Sequence, residues 1–403
     1  MCDLKLSRNT HTLKNVQQLD RVVACNSYFF KCTQTQQQEM FVSQQSRLLP
    51  TKILRYISSS FTTASSKELR ATCKMSGEEE KFKILVTHPE VPQVAIDLLS
   101  RSCEVIVVQS LPPKRSEILE KAKGVHAFFW GGHEALNAEA LDAAGPQLKS
   151  ISTMSAGIDY VDVAEVKRRK IPLGHTPTVL NEAVADTAVG LLLAAARRFH
   201  EGRLKIETNT WESFHLNWML GQDLRGSVVG FFGFGGIAQG IAKRLKGFDI
   251  DSVRYTTRRR VSEDIEKEYS AKKVDFDTML AESDFVVIAS PLTNETAGVF
   301  NASAFGKMKK SAVLVNIGRG GVVNQPDLYE ALKTKQIFAA GLDVMTPEPL
   351  PADDPLLSLP NIVLLPHLGS ATERTRNDMA TIAAHNVLRG LAGEPMFSPA
   401  YQL

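Results

Sequence analysis

From Lys83 onward, short apolar runs alternate with stretches whose apolar residues return every three to four positions. KILVT (83–87), EVIVV (104–108), AFFW (127–130) and SIST (150–153) read as buried strands. Helical spacing fills 91–100, 113–122 and 137–144 between them. A second block follows, with strands predicted at 228–232, 253–256, 285–289, 312–316, 339–342 and 362–365. Strands alternating with helices of about ten residues predict a parallel sheet covered on both faces. Residues 181–200, rich in Ala, Leu and Glu, predict the longest helix and a bridge between the blocks. Residues 209–225 read as a loop carrying Trp211 and Trp218, and 371–391 as a helix returning to the first block. The expected class is α/β, with two doubly wound parallel sheets.

The first 80 residues break this pattern. They are rich in Ser, Thr and Gln and hold no sustained period. Residues 1–74 carry 11 Lys+Arg and 4 Asp+Glu, so the chain's net charge of +3 conceals a body of net −4. Such a body offers no basic face for nucleic acid. Four of the five cysteines (Cys2, Cys25, Cys32, Cys73) lie in the same segment, leaving Cys103 for the rest. A reducing compartment without structural disulfides follows. Residues 43–66 have bases and hydroxyls but no acid, the composition of an organelle transit peptide. The expected location is therefore cytoplasmic, with a mitochondrial alternative through this extension. The longest clean apolar run, Ala188–Ala196, is far short of the about 20 residues that a spanning helix needs. A disordered, collagenous or disulfide-stapled chain is excluded.

Val228–Ala238 (VVGFFGFGGIA) has the form strand, G-x-G-x-x-A turn, helix. Gly233 permits the turn, Gly235 lets a pyrophosphate approach, and Ala238 keeps helix and strand close. The N–H groups opening the helix then face the phosphates. A carboxylate for the ribose 2′-hydroxyl is expected about 20 residues later. Here Thr256 stands in its place, followed by Arg258, Arg259 and Arg260, with no acid between Ser252 and Ser262. Guanidinium groups there favour a 2′-phosphate, so the expected cofactor is NADP(H). A solvated basic turn is the plainer alternative.

Three later segments fall where strands end: NIGRG (316–320), GLDVMTPEP (341–349) and LPHLGSA (365–371). Ligands of open α/β sheets bind beyond such ends, which groups Arg319, Glu348 and His367. An arginine can hold a carboxylate and polarise the adjacent carbonyl. A histidine exchanges protons near neutral pH, and a neighbouring glutamate favours its charged form. Taken singly, each residue also has an ordinary reading as a solvated side chain or a turn cap. No metal-ligand spacing, GxSxG or CxxC is present, so no metal is expected.

These motifs resemble the D-isomer-specific 2-hydroxyacid dehydrogenases over about residues 83–396. Further matching segments are ISTMSAGIDY (151–160), VVNQPDLYEAL (322–332) and LPHLGSATERTRN (365–377). The resemblance implies NADPH-dependent reduction of glyoxylate and hydroxypyruvate to glycolate and D-glycerate. It puts catalysis on Arg319, Glu348 and His367. It implies cofactor contacts at Gly233, Gly235, Gly236, Ile237, Ala238, Arg258, Arg259, Ser290, Pro291, Ile317, Arg319, Asp343 and Gly369, with Asp343 accepting from the nicotinamide amide. Substrate contacts fall on Ala156, Gly157, Arg319, His367, Gly369 and Ser370, and on Trp218 reaching toward a neighbouring subunit of a homodimer. Two departures stand out: Gly236 where Arg is usual, and Gly321 where an acid is common.

The expected architecture is a Rossmann nucleotide-binding domain (179–366) inserted in a flavodoxin-like substrate domain (81–178 and 367–403), behind a disordered or targeting extension (1–80). Partners are a small 2-oxo or 2-hydroxy acid and a second copy, with neither nucleic acid nor membrane. The rivals are a dehydrogenase of another D-2-hydroxy acid and a nucleotide-sensing, corepressor-like binding protein.

Overall fold

The computed structural model describes residues 81–212 and 215–402. The N-terminal extension, with the targeting reading attached to it, lies outside the described residues. Those residues form two wholly parallel sheets. The first holds β1 (Lys83–Val86), β2 (Glu104–Val107), β3 (Ala127–Trp130), β4 (Ser150–Thr153) and β5 (Leu173–Gly174) in the order β2-β1-β3-β4-β5. That is the flavodoxin-like order.

The second sheet holds β6 (Val228–Phe232), β7 (Ser252–Thr256), β8 (Ala271–Lys273), β9 (Phe285–Ile288), β10 (Val313–Asn316), β11 (Ala339–Leu342) and β12 (Ile362–Leu364). Its order, β12-β11-β10-β9-β6-β7-β8, puts the first strand beside the fourth, the Rossmann arrangement. Phe231 pairs with Tyr255 on one side and Val287 on the other, so the glycine-rich turn leaves the middle of the sheet. The central strands β9, β10 and β11 are buried throughout, which is why their sequences are apolar without alternation.

The bridging helix differs from expectation. It runs from Asn181 to Ala196 and then breaks; a second helix spans Phe199–Glu207. Arg198 sits between them in the left-handed region (φ 56°), its guanidinium on the Glu201 carboxylate at 2.8 Å. Helical periodicity survives the break, so the sequence did not reveal it. Apolar residues of the first helix (Val184, Ala188, Leu191, Leu192, Ala195) join one continuous core reaching from Ile84 and Val86 to Val229 and Val315. Among the described residues the longest helix is instead Glu373–Leu391, capped by Thr372 and packed on β3 and β4. Its buried Asn386 donates to Ser152 and to the His175 carbonyl.

Three elements escaped the sequence reading: β5, β8 and the helix Val163–Arg168. β8 reads Ala-Lys-Lys and is an edge strand, where lysines discourage further pairing. Cys103 is free and buried, and burial pushes its thiol up. Among the described residues no helix is long and apolar enough to cross a membrane.

Candidate active site

The site lies where β3 and β4 of one sheet and β10 and β11 of the other end. Asn316, the last residue of β10, folds the loop that follows. Its Nδ2 donates to the Arg319 carbonyl at 2.9 Å, and its Oδ1 accepts from Gly318 N–H at 3.0 Å. Arg319 is thereby aimed at the other sheet, where its Nε donates to Asp159 Oδ1 at 2.8 Å. Its Nη2 lies against Gly157, where any side chain would collide with it. Glycine here lets the guanidinium lie directly on the backbone; a larger residue would displace it. Ser155 Oγ donates to the Gly157 carbonyl at 2.7 Å, and the Ala156 carbonyl lies 3.0 Å from His175 Nδ1.

After β11 comes Asp343, buried at 2% exposure. Its carboxylate accepts from Leu368 N–H at 2.7 Å and Gly369 N–H at 2.8 Å, and its carbonyl from His367 N–H at 2.9 Å. Burial pushes its carboxyl up, against the pull of those two donors. This anchorage holds His367 in the left-handed region, φ 55°. For a residue other than glycine that conformation needs surrounding structure to hold it.

Glu348 completes the pair. One carboxylate oxygen accepts from Met345 N–H at 3.0 Å, and the other lies 2.8 Å from His367 Nδ1. Burial works to raise the Glu348 carboxyl, but the imidazole and the Met345 amide outweigh it, and it ends below the usual carboxylate range. With Nδ1 taken, Nε2 of His367 is the nitrogen left to exchange a proton.

His133, in the loop after β3, was not singled out in the sequence. Its ring centroid lies 5.4 Å from that of His367 and 5.3 Å from that of Tyr160. The donor atoms of His133, Glu348 and His367 fall within 4.8 Å of one another, which spacing along the chain does not show. Glu348 and His367 are engaged with each other, and Arg319 puts a positive charge on the same group. That chemistry suits proton transfer better than cation binding.

The glycine-rich turn follows β6, in the middle of the second sheet. Gly233 has φ 93°, and a Cβ there would strike the Ala289 carbonyl. Gly235 caps the helix Gly236–Leu245 and has open space where a side chain would stand. Ser290 Oγ is buried without a hydrogen-bond partner among the described residues, beside the turn. Open glycine, free helix N–H groups and an orphaned hydroxyl together fit a dinucleotide. Ile237 is half-buried, Ala238 and Ile317 are buried, and Pro291 is exposed next to Ser290. Gly236 abuts Asn181 Nδ2, which occupies the space that a longer side chain would need.

At the end of β7, Thr256 Oγ1 donates to the Val274 carbonyl at 3.0 Å. The arginine run divides. Arg260 is tied to Glu266 at 2.7 Å, and Glu266, also bonded by Tyr255, is held down at about 2. Arg258 and Arg259 are exposed, and their guanidinium groups make no hydrogen bond or ion pair among the described residues.

The structure thus gathers Arg319, Glu348, His367, Gly157, Asp343 and Gly369, with Ala156 and Ser370 in the adjoining loops. It does not bring Trp218 to them. That residue is half-buried in the loop after the helix Phe199–Glu207, its backbone N–H on the His215 carbonyl. The sequence reading missed Asp159, although it lies inside a quoted motif, and His133. Applied to the first sheet as well as the second, the strand-end rule points to both.

Residues 189–369 match the family described as D-isomer specific 2-hydroxyacid dehydrogenase, NAD binding domain. The chain is 45% identical over 318 residues to the human glyoxylate reductase/hydroxypyruvate reductase, covering 78% of this chain and 96% of that one. It is 42% identical over 303 residues to glyoxylate/hydroxypyruvate reductase B of Citrobacter koseri, covering 74% and 92%. Among solved structures, an NADPH-dependent glyoxylate/hydroxypyruvate reductase of Sinorhizobium meliloti, in complex with NADP and malonate, superposes with a TM-score of 0.68 at 29% identity, covering 79% of this chain and 97% of that one.

Proposed function

The chain belongs to the D-isomer-specific 2-hydroxyacid dehydrogenase family, and on that premise we propose that it reduces glyoxylate and hydroxypyruvate to glycolate and D-glycerate, with NADPH as the preferred donor. It is an oxidoreductase of CH–OH groups that uses a nicotinamide cofactor. The observation that carries the substrate reading is the convergence of Arg319, Glu348 and His367 across one cleft, with Gly157 opposite.

When bound, the cofactor supplies a hydride to the carbonyl carbon. The Arg319 guanidinium, fixed at Nε by Asp159, holds the substrate carboxylate and polarises the adjacent C=O. The backbone of Ala156 and Gly157 faces the same carboxylate, with Gly369 and Ser370 alongside. His367 delivers a proton from Nε2 to the developing alkoxide, and Glu348, on Nδ1, orients the imidazole for that step. Gly233, Gly235, Gly236, Ile237, Ala238, Ser290, Pro291 and Ile317 hold the dinucleotide. Asp343 adds a lone pair for the nicotinamide amide to its task of anchoring the His367 loop. In this division the first sheet and the C-terminal helix serve the substrate, and the second sheet serves the cofactor.

Support for NADPH comes from the missing acid after β7 and from the free guanidinium groups of Arg258 and Arg259. Support for a homodimer comes from exposed apolar side chains grouped in one segment: Phe199 (61%), Ile206 (64%), Trp211 (64%), Leu216 (85%) and Leu220 (60%). Trp218 sits in the same segment, consistent with a reach toward a neighbour's site. The test is a steady-state panel of NADPH and NADH against glyoxylate and hydroxypyruvate. NADPH with either acid is expected to lead; a clear NADH preference contradicts the cofactor reading.

A further inference from the structure

His133 stands on the substrate side of the cleft and has no part in the hydride and proton transfers described above. Part of this residue reaches solvent, while its ring packs against His367 on one side and Tyr160 on the other. Tyr160 is itself fixed, its hydroxyl 2.7 Å from Ser155 Oγ. Its phenol is pushed up to about 12, chiefly by burial, so it stays protonated and turned toward Ser155. The loop that braces His133 is therefore the loop that presents Ala156 and Gly157.

A 2-oxo acid has three groups on its reacting side. The carboxylate is met by Gly157 and Arg319, and the carbonyl oxygen by Arg319 and His367. The third group, the remainder of the acid, is left to what surrounds these residues, and His133 is a polar side chain there, its donor atom within 4.8 Å of those of His367 and Glu348. Burial, and then the charges of His367 and Arg319, push its imidazole below the usual histidine range. At neutral pH it is uncharged, with one nitrogen donating and one accepting. That inventory suits a hydroxyl and offers nothing to a methyl group.

We propose that His133 is a specificity-determining residue, which hydrogen-bonds the 3-hydroxyl of hydroxypyruvate and so favours 2-oxo acids with a polar third carbon. The assignment rests on the reductase reading given above. Glyoxylate has no third carbon and pyruvate has a methyl there, so neither gains from the contact.

The test compares wild type, His133→Leu and His133→Gln on hydroxypyruvate, glyoxylate and pyruvate with saturating NADPH. His133→Leu should lower kcat/KM for hydroxypyruvate by about 10- to 100-fold, the effect of losing one buried hydrogen bond to a substrate hydroxyl. Glyoxylate should stay within about threefold, since it makes no such bond. His133→Gln, which keeps a donor and an acceptor, should recover most of the loss. Calorimetry of the enzyme–NADPH complex, in which a 2-hydroxy acid cannot react, should show weaker D-glycerate binding for His133→Leu and unchanged glycolate binding. Equal losses on all three acids, or a moved pH profile with glyoxylate, would mean that His133 acts through His367 and would overturn the assignment. No loss on any acid overturns it too. A wild-type enzyme inert toward all three overturns the functional reading along with it, whereas active wild type with equal losses overturns the assignment alone.

Discussion

Arg319 and Asp159 are 160 positions apart in the chain, yet Nε of one donates to Oδ1 of the other at 2.8 Å. The contact ties the strand ends of the two sheets together and points the rest of the guanidinium at Gly157. Both side chains are partly open to solvent (22% and 32%), so the pair contributes at most about 1 kcal/mol to stability. Its value lies in orientation. Asp159→Asn should raise KM for glyoxylate about tenfold and lower kcat much less, with little change in Tm. A loss confined to kcat contradicts this role.

Glu348 acts through its charge on His367. Its carboxyl lies below the usual carboxylate range, so at neutral pH it is ionised beside the imidazole. Glu348→Gln keeps the size and removes that charge. The reductive rate should drop about 10- to 100-fold, because the carboxylate that orients the proton-donating ring is gone. An undiminished rate contradicts this role.

On the proposed NADPH reading, the split of the arginine run separates cofactor choice from structure. Arg258→Ser with Arg259→Ser should lower kcat/KM for NADPH by about 10- to 100-fold and leave NADH nearly unchanged, the loss of charge-assisted bonds to one phosphate. Arg260→Ser should leave the NADPH-to-NADH ratio alone, because that guanidinium already belongs to Glu266. Equal effects of the two changes argue against the assignment.

Asp343 is a staple before it is a ligand. Asp343→Asn keeps one acceptor oxygen, so one of the Leu368 and Gly369 amides loses its partner. The expected cost is about 1–3 kcal/mol, seen as a lower Tm, with kcat falling as the His367 loop loosens. Unchanged Tm and kcat contradict the staple.

Acid stability carries a signature of three carboxylates. Glu117, Glu165 and Glu266 are each held down at about 2, by Ser110, Arg168 and Arg260 respectively as the leading partners. A depressed carboxyl stabilises the fold above its unfolded value and stops doing so as pH falls through its folded one. The stability these three contribute should hold down to about pH 4.5 and then decline toward about pH 2, following an earlier loss that begins below about pH 6.5 as His133 and His385, both pushed down by burial, come under pressure to charge. Glu117→Gln should flatten part of the lower decline, and a lower decline that Glu117→Gln leaves unchanged would point to other groups.

Much of this architecture was legible because buried parallel strands are continuous apolar runs, as in Phe285–Ile288 and Val313–Asn316. The glycine-rich turn and the Arg, Glu and His segments were legible for a related reason: strand ends collect ligands, and the strands were found. What escaped was decided by tertiary contact. β8 is too short and too charged to look like a strand, and the break at Arg198 depends on a left-handed residue that periodicity ignores. His133 and Asp159 reach the site only because the first sheet turns its strand ends to the second, and no local spacing encodes that.

In the proposed reaction His367, held by Glu348, gives the proton that completes hydride transfer to a 2-oxo acid. The most direct measurement is glyoxylate-dependent NADPH oxidation by wild type and His367→Ala, with NADPH binding followed by fluorescence. The wild type should turn over, the variant should lose at least about 100-fold, and NADPH affinity should be unchanged. Undiminished turnover by His367→Ala would contradict this role.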